Sequence, residues 1–310
     1  MLFHPMQPTV LISTHERPSY LERTLAGMAG QVFPPHEVLI ADDGSGEETR
    51  EVIRRFRATV RFPVVHVRQE HVGWGKCSIL NKCLLESSGD YFVFTDGDCI
   101  HRRDWLRGHV RSAAPARILG GGDLRLNRAV SDRITVDDVL AHRPFSALWL
   151  MQNGMKWRRS LVKAFLPRSL APITDAINFM PARFSGSNAS CWKSDAMRVD
   201  GFDERFGWGK EDVEFGLRIR HTGAGTRHVR YVAACFHMDH PRDSAITRQM
   251  VDSNFEMLRE VVQERRTKAE RGVSKTGREY TVERENPAIV TSATPGTPPR
   301  IAPEPAALIA

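Results

Sequence analysis

Short apolar strands that alternate with helical segments and end in polar or acidic residues constrain this chain more than any other feature. TVLIST (9–14), EVLIAD (37–42), VVHVRQE (64–70) and YFVFT (91–95) each read as a buried strand. Helical patterns lie between them. Pro18 suits a first turn, with Leu21, Leu25 and Met28 on one face, and further helices are expected over about 47–56 and 76–87. This alternation predicts a largely parallel sheet covered on both faces, with a binding crevice beyond the carboxyl ends of the strands. Thr14, Asp42, Asp43, Asp96 and Asp98 fall at those ends.

Asp96 and Asp98 follow the fourth strand with one glycine between them. Carboxylates that close repel unless they stay hydrated or a positive charge sits between them. A divalent cation carrying a diphosphate answers that need. The formal charge of +7 fits a phosphorylated substrate, an anionic membrane surface or nucleic acid. No zinc-finger, RNP-like or arginine-glycine repeat is present, so no nucleic-acid partner is expected.

No apolar run reaches the roughly 18 residues of a membrane span. MLFHPMQP lacks the basic and apolar regions of a secretory signal, so a cytoplasmic setting is expected. Five cysteines (77, 83, 99, 191 and 235) without a CxxC pair read as reduced, packed thiols. The stretch 145–170 mixes aromatic and basic residues. It fits a lid or core helix with a solvated basic face, the alternatives being an anionic membrane at the inner face of the cell membrane or a charged acceptor. Residues 244–270 read as one amphipathic helix with Met250, Val251, Phe255, Leu258 and Val262 toward the protein, and the Pro-, Ala- and Thr-rich tail 286–310 as disordered.

LISTHERPSYLERTL, EVLIADDGSGEETR, GWGKCSILNKCLLESSGDYFVFTDGDCI, SGSNASCWKSD and VDGFDERFGWGKEDVEFGLRIRHTG stand in this order between about residues 8 and 240. With these segments the chain resembles the family 2 glycosyltransferases of the GT-A fold, and from GFDERFGWGKED onward it is similar to galactosyltransferase-like C-terminal parts. The resemblance implies an α/β, Rossmann-like single domain with a mostly parallel central sheet flanked by helices. It implies a nucleotide-binding half (1–100), an acceptor and catalytic half (101–240) and a helical extension (241–285).

The resemblance also distributes roles. Asp98 would bind Mn2+ or Mg2+, and Asp96 would contact the ribose or metal-bound water. His237 is the first choice as a further metal ligand, with His240 able to take that role or orient it. Asp43 would accept from the pyrimidine, Asp42 would cap the turn or share that task, and Ser13 and Thr14 would line the base pocket with Arg17 nearby. Many relatives carry arginines where this chain has Gly75 and Leu80; Lys76 and Lys82 stand one residue later, and Lys76 would meet the diphosphate. Asp212 of the WGxED motif would be the general base, with Glu211, Trp208 and Asn188 on the acceptor. An acid in a first helical turn is held in its charged form by the helix dipole.

The activity so implied is inverting, metal-dependent transfer from a nucleotide-sugar donor, a UDP-sugar first, to a glycan or lipid-linked acceptor in cell-surface polysaccharide or lipopolysaccharide assembly. A sugar-nucleotide pyrophosphorylase would need a glycine-rich basic signature that LISTHERP is not. A non-catalytic glycan-binding module would have lost the metal or base residues, yet Asp98 and Asp212 are both present.

Overall fold

The computed structural model describes residues 5–179, 181–241 and 246–284; the tail expected over 286–310 lies outside them. The four strands read from sequence are β1 (Pro8–Thr14), β2 (Glu37–Asp42), β3 (Val64–Arg68) and β4 (Tyr91–Asp96), all mutually parallel in the order β3-β2-β1-β4. Further along the chain come β5 (Cys99–His101), β6 (Arg117–Gly120), β7 (Leu124–Arg125), β8 (Ala189–Trp192), β9 (Gly225–His228), β10 (Cys235–His237) and β11 (Thr281–Glu283). The main sheet runs β11-β3-β2-β1-β4-β8-β6-β9, with β8 and β11 antiparallel to the rest. A second sheet, β5-β10-β7, lies beyond the end of β4.

The period of two along each strand sorts the core. Leu11, Leu39, Val65, Val67, Phe92 and Phe94 face α3 (Lys76–Glu86) and the helix Glu211–His221. Val10, Ile12, Val38, Ile40 and Val93 face α1 (Pro18–Ala29), α2 (Glu47–Thr59) and α4 (Trp105–Ser112). Phe94 meets Phe184 and Phe202 edge-on at 5.3 and 5.7 Å. Burial of each such ring contributes about 1.5–3 kcal/mol. The five cysteines are free and buried, as their spacing suggested.

Two expectations change in the C-terminal part. Residues 241–285 are more than a helical extension, because β11 adds an antiparallel edge to β3. The helix there spans Arg248–Glu264, capped by Thr247, and its inward stripe is not the one expected. Met250, Val251 and Leu258 are half-buried, but Phe255 and Val262 are 42% and 52% exposed, while Asn254 and Val261 are buried. A polar residue occupies the contact line because it bonds to the turn before Glu211. The 145–170 stretch is several short helical pieces rather than one.

Candidate active site

A cleft of about 620 Å3 opens at the carboxyl ends of β1, β2 and β4, between the sheet and the turn 208–212. Ser13, Thr14, Arg17, Asp43, Lys76, Asp96, Asp98, Trp208, Glu211, Asp212 and His237 all line it. Residues from distant parts of the chain therefore converge in one space of ligand-binding size. Asp42 and Asn188 do not line it.

Asp42 and Asp43 divide the work at the end of β2. Asp42 is fully buried, accepts from Ser45 N at 2.8 Å and pairs with His66 Nε2 at 2.8 Å. Burial would raise its carboxyl, but the bonds from His66 and Ser45 hold it below the usual range. It is a turn cap, not a base contact. Asp43 faces the cleft, with Gln69 Nε2 on Oδ1 at 2.6 Å and Gly75 N on Oδ2 at 3.0 Å. A Cβ at position 75 would lie 2.3 Å from Asp43 Oδ1, so glycine there permits this approach. His15 and His71 stack beside Asp43, ring centroids 4.1 Å apart. Neither was singled out in the sequence.

Between Asp96 and Asp98 the chain passes close under β1. Gly97 N donates to Ser13 O at 2.8 Å, and a Cβ there would meet that oxygen at 3.1 Å. Ser13 Oγ is committed to Asp96 Oδ1 at 2.7 Å rather than to the base pocket. Asp98 faces two imidazoles: His240 Nε2 is 2.8 Å from Oδ2 and His237 Nε2 is 3.3 Å from Oδ1. His237 comes from β10, whose pairing with β5 brings the two histidines over Asp98. Burial would raise the Asp98 carboxyl, yet His240 and His237 hold it at about 2. Arg17 reaches away from the base side, to His240 Nε2 at 2.7 Å and Pro241 O at 3.0 Å.

This cluster fits a divalent cation. His240 Nδ1 lies 2.9 Å from the Pro241 carbonyl, and donation there leaves the Nε2 lone pair to accept from Arg17 at 2.7 Å, a bond that a cation at this nitrogen would have to displace. The ligand atoms of Asp98, Cys99 and His237 lie within 4.8 Å of one another, so of the two imidazoles His237 belongs to the set that could hold a divalent cation. His240 is the nearer of the two to Asp98.

On the opposite wall, Gly209 and Lys210 both adopt positive φ, at 92° and 77°, and turn the chain into the helix that opens with Glu211 and Asp212. Asp212 Oδ2 accepts from Gly186 N at 2.9 Å and Oδ1 from Val213 N at 2.7 Å. Glu211 Oε2 is buried without a hydrogen-bond partner among the described residues. The helix terminus does not keep these acids at ordinary values. Burial, opposed by Lys76 and reinforced by Asp212, pushes Glu211 to about 7; burial also raises Asp212 against its backbone bonds. Desolvation in a deep cleft outweighs the partial charge of one helix end.

Lys76 Nζ stands between the walls, 2.6 Å from Asp96 Oδ1 and 3.8 Å from Glu211 Oε1. Burial opposes its charge, but these acids hold its pKa above the usual lysine value. Lys82, the other basic residue of that segment, turns away to Gln69 Oε1 at 2.7 Å. Asn81 bonds reciprocally to Phe202 and ties α3 to the turn before the helix Glu211–His221.

Asn188 is not an acceptor contact. It is fully buried; Trp105 Nε1 lies 2.8 Å from its Oδ1, as does His109 Nε2, while its Nδ2 donates to Gly122 O and Ala233 O. All its hydrogen-bonding capacity is spent on joining four segments behind the cleft. Trp192, at the end of β8, packs edge-on against Tyr91. Asn254 was missed: from the C-terminal helix it donates to Trp208 O at 2.9 Å and Gly209 O at 2.7 Å, pinning the turn that carries the acids. No local signal marks it, because its partners lie over 40 residues away in the chain.

Sheet order and cleft define the class: an α/β enzyme scaffold of the GT-A type. Residues 9–118 match the family described as Glycosyl transferase family 2, and residues 176–241 match the one described as N-terminal domain of galactosyltransferase. Over these residues the chain is similar to the family 2 glycosyltransferases and to the galactosyltransferases. It is similar to Escherichia coli chondroitin synthase, 26% identical over 250 residues, covering 75% of this chain and 35% of that protein. It is also similar to validoxylamine A glucosyltransferase of Streptomyces hygroscopicus subsp. limoneus, 29% identical over 237 residues, 69% of this chain and 48% of that one. The matched stretch thus spans less than half the length of either relative.

Solved structures share the fold. Mannosyltransferase PcManGT from Pyrobaculum calidifontis in complex with GDP-Man and Mn2+ gives a TM-score of 0.50 at 18% identity, covering 83% of this chain and 61% of that one. GalNAc-T7 with UDP, GalNAc and Mn2+ gives 0.52 at 15%, covering 83% and 48%.

Proposed function

We propose that this chain transfers a sugar from a nucleotide diphosphate donor, a UDP-sugar first, to a hydroxyl of a glycan or lipid-linked acceptor, with inversion at the anomeric carbon. One observation carries the proposal. A single cleft sets the Asp98–His240–His237 cluster on one wall, the Glu211–Asp212 pair on the other, and Lys76 between them.

Asp212 is oriented by two backbone N–H groups and accepts the proton of the acceptor hydroxyl. That oxygen forms its bond to the anomeric carbon as the bond to the diphosphate oxygen breaks on the opposite face. A cation held by Asp98, His240 and His237 would supply Lewis-acid neutralisation of the departing diphosphate. Lys76 adds a compact positive charge on the same side. Glu211, with one oxygen unpaired, accepts from an acceptor hydroxyl, and Trp208 offers a flat face to a sugar ring. Asp43 reads the pyrimidine edge. The names chondroitin synthase and hyaluronan synthase among the relatives support polysaccharide assembly as the setting, and the net charge of +7 supports peripheral contact with a membrane.

The test is a screen of nucleotide sugars for Mn2+-dependent thermal stabilisation and turnover, followed by NMR of the product's anomeric configuration. Indifference to every nucleotide diphosphate would sink the proposal; a retained configuration would overturn the single-base mechanism.

A further inference from the structure

A second pocket, about 250 Å3, shares no lining residue with the cleft. Arg102, Arg107, Arg111, Arg168 and Arg227 line it, against two carboxylates, Asp104 and Asp175. Both acids are already engaged. Asp104 takes Arg102 at 2.5 Å and Arg168 at 3.3 Å, and Asp175 accepts from Val232 N at 3.0 Å and Tyr231 N at 3.1 Å. The guanidinium groups of Arg107, Arg111 and Arg227 make no ion pair or hydrogen bond among the described residues. Three guanidinium groups around one small cavity, with no acid to spare, match the geometry and charge of a phosphate group.

The helix Ala171–Ala176 forms one wall of this pocket. Ala171 and Asp175 face inward, whereas Leu170, Ile173 and Ile177, at i, i+3 and i+7, stand 47%, 59% and 60% exposed on the opposite side. Such a helix lying in a membrane interface buries its apolar face roughly 5–10 Å deep. A helix is about 10 Å across, so groups behind it come to the level of the headgroup phosphates.

We propose that this pocket and the helix in front of it form a docking surface for an anionic lipid bilayer. A headgroup phosphate enters the Arg107–Arg111–Arg227 pocket while Leu170, Ile173 and Ile177 enter the interface. The proposal rests on the reading above only for its membrane-side setting. The chain just before this wall is tied to the catalytic cleft, because Lys163 Nζ, in the short helix Val162–Phe165, donates to the carbonyl of Asp123, a cleft residue, at 2.8 Å. Docking through it therefore holds the cleft beside the membrane, where a lipid-linked acceptor lies.

The experiment is co-sedimentation of the full chain with phosphatidylcholine vesicles, with and without phosphatidylglycerol. Wild type partitions to the anionic vesicles and is released by salt. R107E/R111E/R227E lowers partitioning by about a hundredfold or more, from three lost surface attractions, and I173E/I177E lowers it without removing an arginine. Both variants keep their melting temperature and their response to Mn2+ with UDP, which separates lost docking from lost folding. Equal binding to neutral and anionic vesicles, or undiminished binding by the triple variant, overturns the proposal. So does arginine-dependent stabilisation by inorganic phosphate in a chain that ignores vesicles. A failed nucleotide-sugar screen would leave the vesicle result standing, so the two proposals fail separately.

Discussion

Asp98 and His240, 142 residues apart in the chain, meet with Oδ2 and Nε2 2.8 Å from each other. The contact exists because β10 pairs with β5, which itself follows directly on the acidic turn after β4. It places the imidazole where it can share a cation with the carboxylate.

Asp98→Ala is expected to abolish the stabilisation that Mn2+ and UDP give together. His237→Ala should weaken Mn2+ binding by about 10–100-fold, and His240→Ala by less, because Arg17 already lies on its Nε2 at 2.7 Å while His237 stands in the compact set with Asp98. Titration of Mn2+ followed by electron paramagnetic resonance reads both. Unchanged affinity in Asp98→Ala removes the cluster from consideration as a metal site.

Asp212→Asn keeps the shape and the Gly186 contact partner but cannot take a proton. Donor binding should persist while kcat falls by about 10²–10⁴-fold. Wild-type turnover in this variant would transfer the role of base to another group.

Lys76→Met takes away the cation between Asp96 and Glu211 while keeping much of the stem's bulk. A weaker affinity for UDP, by at least about tenfold, is expected from the loss of a charged contact to the diphosphate. Isothermal titration calorimetry with UDP and with uridine separates this from a change at the base, since uridine has no diphosphate to lose.

Glu211 makes stability depend on pH with a definite sign. Its ordinary value is 4.5 and burial raises it to about 7 in the folded protein. Between those values the folded state keeps a proton that the unfolded chain has released, so this group's contribution to stability declines as pH rises through the window. Glu211→Gln should flatten that decline in urea melts from pH 4.5 to 7. An identical slope in both proteins would show that the carboxyl titrates normally.

Asn188→Ala should destabilise the fold by about 3 kcal/mol, since it orphans buried groups on Trp105, His109 and two backbone carbonyls. The acceptor KM of the folded fraction should hardly move. A large KM effect with intact stability would restore the sugar-binding role that the motif alone implied.

Much of the nucleotide-binding half is legible from residue order. Strand positions, the helix starting at Lys76 and the carboxylates at strand ends follow from local pattern, because a period of two and a glycine turn are properties of neighbouring residues. Asp42 and Asp43 show the limit. They are chemically equal in the sequence, and only the packing of His66 against one and Gln69 and Gly75 against the other makes them a cap and a cleft residue. Asn188 and Asn254 show it more sharply, since the motif implies an acceptor contact for the first and no local pattern marks the second.

By itself the sequence determined the alternating sheet, the acidic strand ends and the glycine turn before Glu211, all set by interactions within a few residues. Tertiary structure alone decided which histidine stands nearer to Asp98, where Lys76 points and how far Glu211 is driven from its normal ionisation. Those outcomes depend on burial and on charges contributed by segments far apart in the chain, and both come into being only when the chain closes on itself.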